Sequence, residues 1–378
     1  MLPGLAADRA RIADLESRIS NLERSLAALR LEKTAVQERL DSYKYPVLTL
    51  PTEIISEIFI HFLPTYPHCP PLTGPLSPTL LTHTCHAWRE IALATPALWR
   101  AITIAGNDPS SIQRVRVSNM LSRSGSCPLS IRIEGWAYES NYEPELQEAL
   151  AAVLCHCMRW EYLAINADVS ELPEIQGPFP LLRQLDLWLN DVGLPSEVNT
   201  AFQELPQLRT VVLNEDAALH FVLPWIQITR LVLRRVFLHE CVPVLRQTSN
   251  LVHCEIQLYF PLLHPNDVLD VITFPFLESL IFKDPGSSST PTDINPLEVF
   301  ITPALYNLDI PERFLGEKPI ESLTSFISKS GCNLQDLRIT GKGSVLKGSY
   351  RAAFPSIRRF SFDENDEKFE DGGNSNCN

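Results

Sequence analysis

The chain opens with a long seam of apolar residues that recur alternately three and four positions apart. From Leu5 to about Tyr43 it contains no glycine or proline, and it is rich in strong helix formers. The apolar positions are Ile12, Leu15, Ile19, Leu22, Leu26, Leu29, Val36 and Leu40, and Lys33 alone interrupts them. A heptad repeat of this length is typical of a coiled coil.

The charges beside this seam favour one arrangement. If Ile12 occupies position a of the heptad, Arg11 and Arg18 lie at g, whereas Glu16 and Glu23 lie at e. In a parallel pair each of these arginines faces a glutamate of the other chain, which modestly favours a homodimer through residues 12–40. The pattern also fits an amphipathic helix that lies back on its own chain, so the sequence leaves both arrangements open.

Two shorter amphipathic segments follow. After Leu50-Pro51, apolar residues three and four apart predict a short helix that begins at the proline. A second predicted helix carries on one face Leu80, Leu81, Thr84, Cys85, Trp88, Ile91 and Ala92, and it ends at Thr95-Pro96. Because two short helices cannot bury this much apolar surface on each other, a partner or a following domain is expected to cover it.

Between these helices, residues 64–78 contain six prolines. A segment so rich in proline cannot form a helix and favours an extended chain. We therefore expect a loop that is pushed out from the two helices.

A third pattern of apolar positions, Φ-x-x-Φ-x-Φ, recurs along the rest of the chain. It begins at Trp160, Leu182, Leu208, Ile228, Leu251, Leu277, Leu305, Leu334 and Ile357. Earlier strands are expected at 101–104 and 129–133, and helices at 144–157, 196–205, 241–247, 266–272 and 320–330. A spacing of 20 to 29 residues predicts repeated units that stack to bury a shared core. The alternative is an ordinary, flatter α/β sheet with alternating helices.

The residues at 50–99 resemble a known module. Leu50-Pro51, Glu53-Ile54 and Ile58-Phe59 precede Cys85, Trp88-Arg89, Ile91-Ala92, Pro96 and Leu98-Trp99. This combination resembles the F-box, the adaptor-binding module of SCF-type ubiquitin ligases. The chain departs from the family at the proline-rich insert and at His86, where the family commonly has lysine. A generic helical hairpin that caps the next domain is the alternative.

The F-box resemblance implies a partner and a set of contact residues. The partner would be a Skp-type adaptor and, through it, a cullin. The residues implied for adaptor binding are Leu50, Pro51, Ile54, Ile55, Ile58, Phe59, Leu63, Leu80, Cys85, Trp88 and Trp99.

The recurring strands resemble leucine-rich repeats. The resemblance implies an α/β fold, namely a leucine-rich-repeat-like solenoid of parallel strands and helices. The F-box-like module and the N-terminal coiled-coil helix would precede it. Only two repeats carry the family's asparagine, at Asn190 and Asn365, so the repeats are expected to be irregular.

Strand geometry also selects a candidate binding surface. The paired apolar residues of each strand point into the core, so the residues between and after them point to the opposite, concave face. Aromatic and arginine side chains tend to dominate protein contacts. The residues predicted to bind a target are Trp188, Arg234, Gln257, Lys283 and Arg338, and Asn214 is assigned to the same face. For any single residue, a solvated sheet face is the alternative.

Composition narrows the function classes. The 378 residues, 45% of them hydrophobic, can bury a sizeable core. A net charge of −13 argues against a nucleic-acid or anionic-membrane surface. Nine scattered cysteines without framework spacing suit a reducing compartment. No secretory signal pattern and no apolar run of membrane-spanning length occurs, so cytoplasm or nucleus is expected.

The sequence shows no pattern that indicates catalysis. The Cys/His clusters at 83–86 and 155–157 lack a second pair at zinc-finger spacing, so packing cysteines are expected instead of a metal site. The motifs of serine hydrolases, zinc proteases and phosphate-binding loops are missing. We therefore expect no enzyme activity, cofactor or metal.

These patterns divide the chain into a coiled-coil helix (1–45), an F-box-like module (46–104) with its insert (64–78), a repeat solenoid (105–362) and an acidic disordered tail (363–378). The expected function is substrate recognition in an SCF-type ubiquitin ligase, with the repeats binding an unknown target protein. The alternative is a non-catalytic repeat scaffold that uses the F-box-like hairpin as a cap and acts outside ubiquitination.

Overall fold

The computed structural model of the protein describes residues 2–42, 46–105, 110–134, 144–168, 175, 177–190, 200–259, 271–284, 295–341 and 345–363. Residues 196–199 of the helix predicted at 196–205 and residues 266–270 of the helix predicted at 266–272 lie outside these residues, as does nearly all of the acidic tail. The part of 196–205 that is described contains no helix, and Ile272 belongs to a short strand.

Helix α1 (Leu2–Ser42) runs through the whole heptad region without a break. Every side chain described in this helix is exposed, including all the apolar residues of the seam. The helix therefore does not lie back on any part of the chain that the structure describes, and for those residues that alternative is wrong.

Three short helices come next: α2 (Thr52–Phe62), α3 (Pro78–Thr84) and α4 (His86–Leu93). The single helix predicted across residues 80–92 is wrong, because the chain breaks at Cys85. Its extended backbone, with φ −156° and ψ 170°, lets the Cys85 Sγ accept a hydrogen bond from the Trp88 N–H at 3.4 Å. Cys85 thus caps the start of α4 instead of continuing the apolar face of one long helix.

Eleven of the described strands form one sheet. They are β1 (Ala101–Ala105), β2 (Leu129–Glu134), β3 (Trp160–Asp168), β4 (Gln184–Asn190), β5 (Thr210–Asn214), β6 (Arg230–Val236), β7 (His253–Leu258), β9 (Ser279–Lys283), β11 (Asn307–Pro311), β12 (Asp336–Thr340) and β13 (Arg359–Asp363). Two further short strands, β8 (Ile272–Thr273) and β10 (Phe300–Ile301), pair only with each other. All the predicted strands are confirmed.

Neighbouring strands of the large sheet are parallel and lie in chain order. The order never reverses, as it does at the switch point of a doubly wound sheet. The fold is therefore α/β, with a large parallel sheet behind an N-terminal helix, and it is compatible with a solenoid.

The remaining helices are α5 (Ser110–Arg123), α6 (Pro144–Leu154), α7 (Glu215–His220), α8 (Leu238–Gln247), α9 (Pro319–Ser330) and α10 (Lys347–Ala353). Helices α6, α8 and α9 confirm predictions, whereas α5, α7 and α10 were not predicted. Helix α5 is rich in serine, arginine and valine and has a weak amphipathic pattern. It buries Val117, Met120 and Leu121, so packing overrides its modest propensity.

One apolar core connects the sheet to the helices. Leu185, Val211 and Leu231 stand side by side in register on β4, β5 and β6, and all three are fully buried. The side chains that alternate with this row point away from the helices. We call the surface that they form the open face.

A repeated hydrogen bond marks the start of successive strands. The carbonyl oxygen of Arg183 accepts bonds from the backbone N–H groups of Arg209 and Thr210 at 3.0 and 3.1 Å. The same arrangement recurs with the carbonyl acceptors Arg209, Thr229, Val252, Glu278, Tyr306 and Gln335. Because one acceptor serves two donors of the next strand each time, the chain repeats a single structural unit across the sheet.

Aromatic rings fill the core between several of these units. Trp160, Phe179, Phe202 and Phe221 follow one another with ring centroids 5.4, 5.7 and 5.3 Å apart. Offset aromatic pairs at this spacing contribute beyond their burial. This series joins the first repeats of the sheet.

Candidate functional site

Helix α2 begins directly after Pro51, which is its N-cap, one residue later than predicted. This proline has φ −55°, and its carbonyl oxygen accepts hydrogen bonds from the N–H groups of Ile54 and Ile55 at 3.1 and 3.2 Å. Glu53 adds a negative charge to the first turn, where it complements the helix dipole. The helix ends at Phe62, because the residue that precedes Pro64 is disfavoured in helical conformation.

The helical period divides the apolar residues of α2 between two sides. Ile55 and Phe59 are only 2% and 1% exposed, and the Phe59 ring meets Trp88 edge-on with centroids 5.0 Å apart. Ile54 and Ile58 lie on the other side and are 48% and 46% exposed. One short helix therefore contributes both to the core and to an apolar surface.

The residues predicted to bind an adaptor fall into three groups by exposure. Leu50, Pro51, Ile54, Ile58 and Leu80 are exposed, and we call them the docking patch. Leu63, Cys85 and Trp88 are half-buried, whereas Ile55, Phe59 and Trp99 are buried. The prediction that Ile55, Phe59 and Trp99 contact the adaptor directly is wrong, because residues this deep in the core cannot reach a partner.

The buried residues hold the exposed ones in position. The Trp99 indole donates its Nε1–H to the carbonyl of Ala92 at 2.9 Å, which ties the 3₁₀ turn Pro96–Trp99 to α4. The Thr95 hydroxyl lies 3.0 Å from the Ser56 hydroxyl of α2. These bonds fix α2 against the end of α4, so the docking patch rests on a rigid base.

Residues 64–78, which we call the strap, do not form a loop pushed out from the helices, so that prediction is wrong. The strap lies across the open face of the first strands. Ser130 of β2 donates its hydroxyl hydrogen to the carbonyl of Pro67 at 2.6 Å, and Leu72 is buried. The Cys69 Sγ lies 3.7 Å from the Ser130 carbonyl, and burial raises the pKa of this thiol.

Tyr66 anchors the strap through three neighbours. Its hydroxyl donates to the Glu161 carboxylate at 3.0 Å, and its ring meets Tyr162 edge-on at 5.2 Å. The Arg100 guanidinium lies 3.7 Å from the centre of the same ring, a cation–π contact. Burial and then the nearby Glu161 charge raise the pKa of the Tyr66 phenol. The strap therefore links the helical module to β3.

The residues predicted to bind a target lie on five strands of the large sheet, β4, β6, β7, β9 and β12. Arg234 of β6 stands in register with Asn214 of β5, and Gln257 of β7 stands beside Lys283 of β9. Arg338 follows on β12. The register therefore brings together residues that are far apart in the sequence.

The cations among them are already paired with carboxylates on nearby strands. The Arg234 guanidinium lies 3.3 Å from Asp186 of β4. Lys283 lies 2.9 Å from Glu255 of β7. Burial raises the pKa of Asp186, and the charge of Arg234 opposes that shift. The open face thus carries several ion pairs. A bound partner must either accommodate these pairs or replace them with its own charged groups.

Arg338, at the far end of the sheet, is also paired with carboxylates of neighbouring strands. Arg338 donates its Nε–H to Asp363 of β13 at 2.9 Å and reaches Asp309 of β11 at 3.4 Å. One arginine therefore crosslinks three adjacent strands.

Trp188 has an aromatic–cation contact that the sequence did not reveal. The Arg235 guanidinium lies 5.1 Å from the centre of its ring. Arg235 has φ +53°, and the pairing of β6 with β7 shifts register between Leu233 and Val236. Such a bulge redirects a side chain. Arg235, rather than Arg234, is therefore the arginine that meets Trp188.

Two residues assigned to this face are buried, which corrects their predicted role. Gln257 is 5% exposed and cannot present its amide to a partner. The Asn214 side-chain oxygen accepts hydrogen bonds from the N–H groups of Leu189 and Ala217 at 3.0 and 3.3 Å. Asn214 therefore joins β4 to the first turn of α7 instead of facing outward.

A scan of the chain against models of known protein families gives no match, and a search among curated proteins gives none either. No helix in the described ranges is long and apolar enough to cross a membrane. Within the same residues, no three His, Cys, Asp or Glu side chains lie where they could share a metal ion.

Proposed function

We propose that this protein is a substrate receptor of an SCF-type ubiquitin ligase. Its F-box-like helices bind a Skp-type adaptor, which connects the chain to a cullin, and its sheet binds a target protein. The receptor contributes proximity, because it raises the concentration of the target beside the catalytic partner. No bond is made or broken on this chain.

The exposure of the docking patch carries this proposal. Ile54 and Ile58 remain exposed on α2, although the neighbouring Ile55 and Phe59 are fully used in the core. Leu80 of α3 is also exposed. Exposed apolar residues gathered on a small module mark a protein interaction site. The motif and the exposure are separate observations, and they agree on Leu50, Pro51, Ile54, Ile58 and Leu80.

The chemistry of the patch suits an adaptor with an apolar groove. Burying the exposed half of one isoleucine stabilises a complex by about 1 kcal/mol. Useful affinity therefore needs several patch residues to be covered together. Pro51 limits backbone freedom at the start of α2, so little order has to be gained on binding.

We interpret the sheet as a leucine-rich-repeat-like solenoid that presents the target-binding surface. The chain order of the strands and the repeated carbonyl acceptor support this interpretation. Trp188 with Arg235, and Arg234 and Lys283 with their carboxylate partners, are the candidate contacts. Paired charges of this kind select a partner with a complementary pattern rather than add much affinity.

The proposed place of action is the cytoplasm or the nucleus. The eight cysteines within the described residues are free thiols, which suits a reducing compartment.

A second candidate function is a non-catalytic scaffold in which the helical module only caps the sheet. The continuity of the core favours it, because a single apolar cluster extends from Ile55 to Ile357. A cap, however, gains nothing from exposed isoleucines at 54 and 58. The two candidates differ in whether an adaptor binds.

Co-expression with a Skp-type adaptor separates the candidates. The full-length protein should retain the adaptor through purification, and Ile54→Asp combined with Ile58→Asp should release it. Ile226→Asp is the matched control, because Ile226 is 66% exposed but lies beside the sheet rather than on α2. Ile55→Asp is unsuitable, since a buried charge would unfold the module. Equal retention by the double variant and the control would support the scaffold.

A further inference from the structure

We propose that α1 pairs with the α1 helix of a second copy of this chain in a parallel, in-register, two-stranded coiled coil. The pairing is independent of the proposed function.

The apolar seam of α1 has no partner within the described residues of its own chain. Its residues, from Ile12 to Leu40, are 42–69% exposed. A shallow depression on the seam is lined by Ile19, Leu22, Leu26 and Leu29, together with Glu23 and Ser25. Knob residues from a facing helix enter holes of this kind in coiled coils. Eight exposed apolar residues in one line are costly in water unless another surface covers them.

The spacing of the seam identifies a second helix as its occupant. A helix that packs on a globular domain typically has an apolar face wider than two residues in seven. The seam here is the narrow a/d type, which fits a helix with the same 3.5-residue period. A second copy of the chain supplies that period by symmetry, because each residue meets its own equivalent.

Charges at the flanking positions fix the orientation. In a parallel pair, Arg11 and Arg18 face Glu16 and Glu23 of the second copy, and symmetry doubles these contacts. The next two flanking contacts each pair a charged residue with an uncharged one, namely Ser25 with Arg30 and Glu32 with Gln37. No like charges face each other at these flanking positions.

Lys33 fixes the register and the number of chains. It is the one charged residue at position a, and in register it meets Lys33 of the second copy. A single polar residue at a specifies register and oligomeric state at some cost in stability. Any shifted register would bury Lys33 against an apolar residue, and a third helix would add a third ammonium to the same layer. The in-register dimer keeps this cost lowest.

Parallel pairing also determines where the rest of each chain lies. Both helices end at Ser42, at the same end of the coiled coil. The two chains therefore continue toward their docking patches and sheets from that shared end. This consequence rests on the proposed function: a ligase receptor with two target-binding faces would hold a bivalent target with higher avidity.

Charge exchange in the full-length protein tests the pairing. The wild type should sediment at equilibrium with twice the 42.6 kDa chain mass. Arg11→Glu combined with Arg18→Glu places like charges across the interface, and so does Glu16→Lys combined with Glu23→Lys. Each double variant alone should weaken self-association at least tenfold. An equimolar mixture of the two should restore the dimer, because every cross-chain contact is attractive again.

The control changes charges that do not face the second helix. Arg24→Glu combined with Glu38→Lys alters position f and should leave the dimer intact. A monomeric wild type, a charge variant that still dimerises alone, or a mixture that fails to reassociate would each overturn the proposal. Recovery on mixing also rules out misfolding as the cause of dissociation. Ile54→Asp with Ile58→Asp should not change the sedimentation mass, so this proposal and the proposed function fail separately.

Discussion

Glu215 and Glu240 bring two carboxyl groups together where the first turn of α7 meets α8. Burial, followed by the hydrogen bond and the charge of Glu240, raises the pKa of Glu215 from 4.5 to about 7. In the unfolded chain the group ionises at its ordinary pKa. The stability associated with the neutral Glu215 is therefore fully present below about pH 4.5 and is lost as the pH rises through about 7.

Glu215→Gln should remove this pH dependence. Glutamine keeps the shape and the hydrogen-bonding capacity but cannot ionise, so the variant should be more stable than the wild type at pH 8. At pH 4 the difference should largely disappear. Urea unfolding at both pH values measures the two free energies of unfolding. Glu204→Gln, at an exposed position, is the control, and an equal effect of Glu215→Gln at both pH values would contradict the account.

Tyr66 should be the most sensitive residue of the strap. Tyr66→Phe removes the hydrogen bond to Glu161 but keeps the contacts with Tyr162 and Arg100, so it should cost about 1 kcal/mol. Tyr66→Ala also removes the ring and should cost a further ~1–2 kcal/mol. Urea unfolding measures both costs. Tyr306→Phe is a matched control, since Tyr306 is exposed. No loss of stability in Tyr66→Ala would mean that the strap does not rest on the sheet.

At the scale of elements, Cys85 determines where α3 ends and α4 begins. Its Sγ caps the Trp88 N–H, and sulfur is a weaker acceptor than oxygen. Cys85→Ser should therefore maintain or raise stability, whereas Cys85→Ala should lower it by up to about 1 kcal/mol. Thermal unfolding compares the two variants, and Cys155→Ala, at an exposed position, controls for loss of a thiol. An alanine variant as stable as the serine variant would exclude the cap.

The local sequence pattern was sufficient to predict the strands, but it did not predict the break at Cys85 or the position of the strap. Each strand of the sheet carries its own period of two, so segments such as 182–187 and 208–213 could be located from a few residues. The break at Cys85 depends on a side chain that accepts from the backbone, and the apolar stripe runs through it unchanged. The strap depends on contacts such as Tyr66 to Glu161, 95 residues apart, which no local pattern contains.

At the scale of the whole molecule, the candidate site also combines features that local sequence pattern predicts with features that depend on distant contacts. The motif identified the helix that carries the docking patch, but adjacent isoleucines 54 and 55 differ in role only because the rest of the chain packs on one side. On the open face, the period of two predicted Trp188 and Arg234. It could not predict that Gln257 is buried or that a bulge brings Arg235 to Trp188.

The helical module and the sheet are joined as one body by two connections. The apolar core is continuous between them, and the strap lies across the open face of the first strands. A target on the open face would therefore be held in a defined position relative to an adaptor on the docking patch. Precise placement of this kind is what a proximity mechanism requires.

The most direct test of the central claim is the affinity of the purified full-length protein for a purified Skp-type adaptor, measured by isothermal titration calorimetry. The account predicts saturable binding of one adaptor per chain with a negative heat-capacity change, because apolar surface is buried. Ile54→Asp with Ile58→Asp should weaken this binding at least tenfold, and Ile226→Asp should leave it unchanged. No binding by the wild type, or equal binding by all three proteins, would contradict the account.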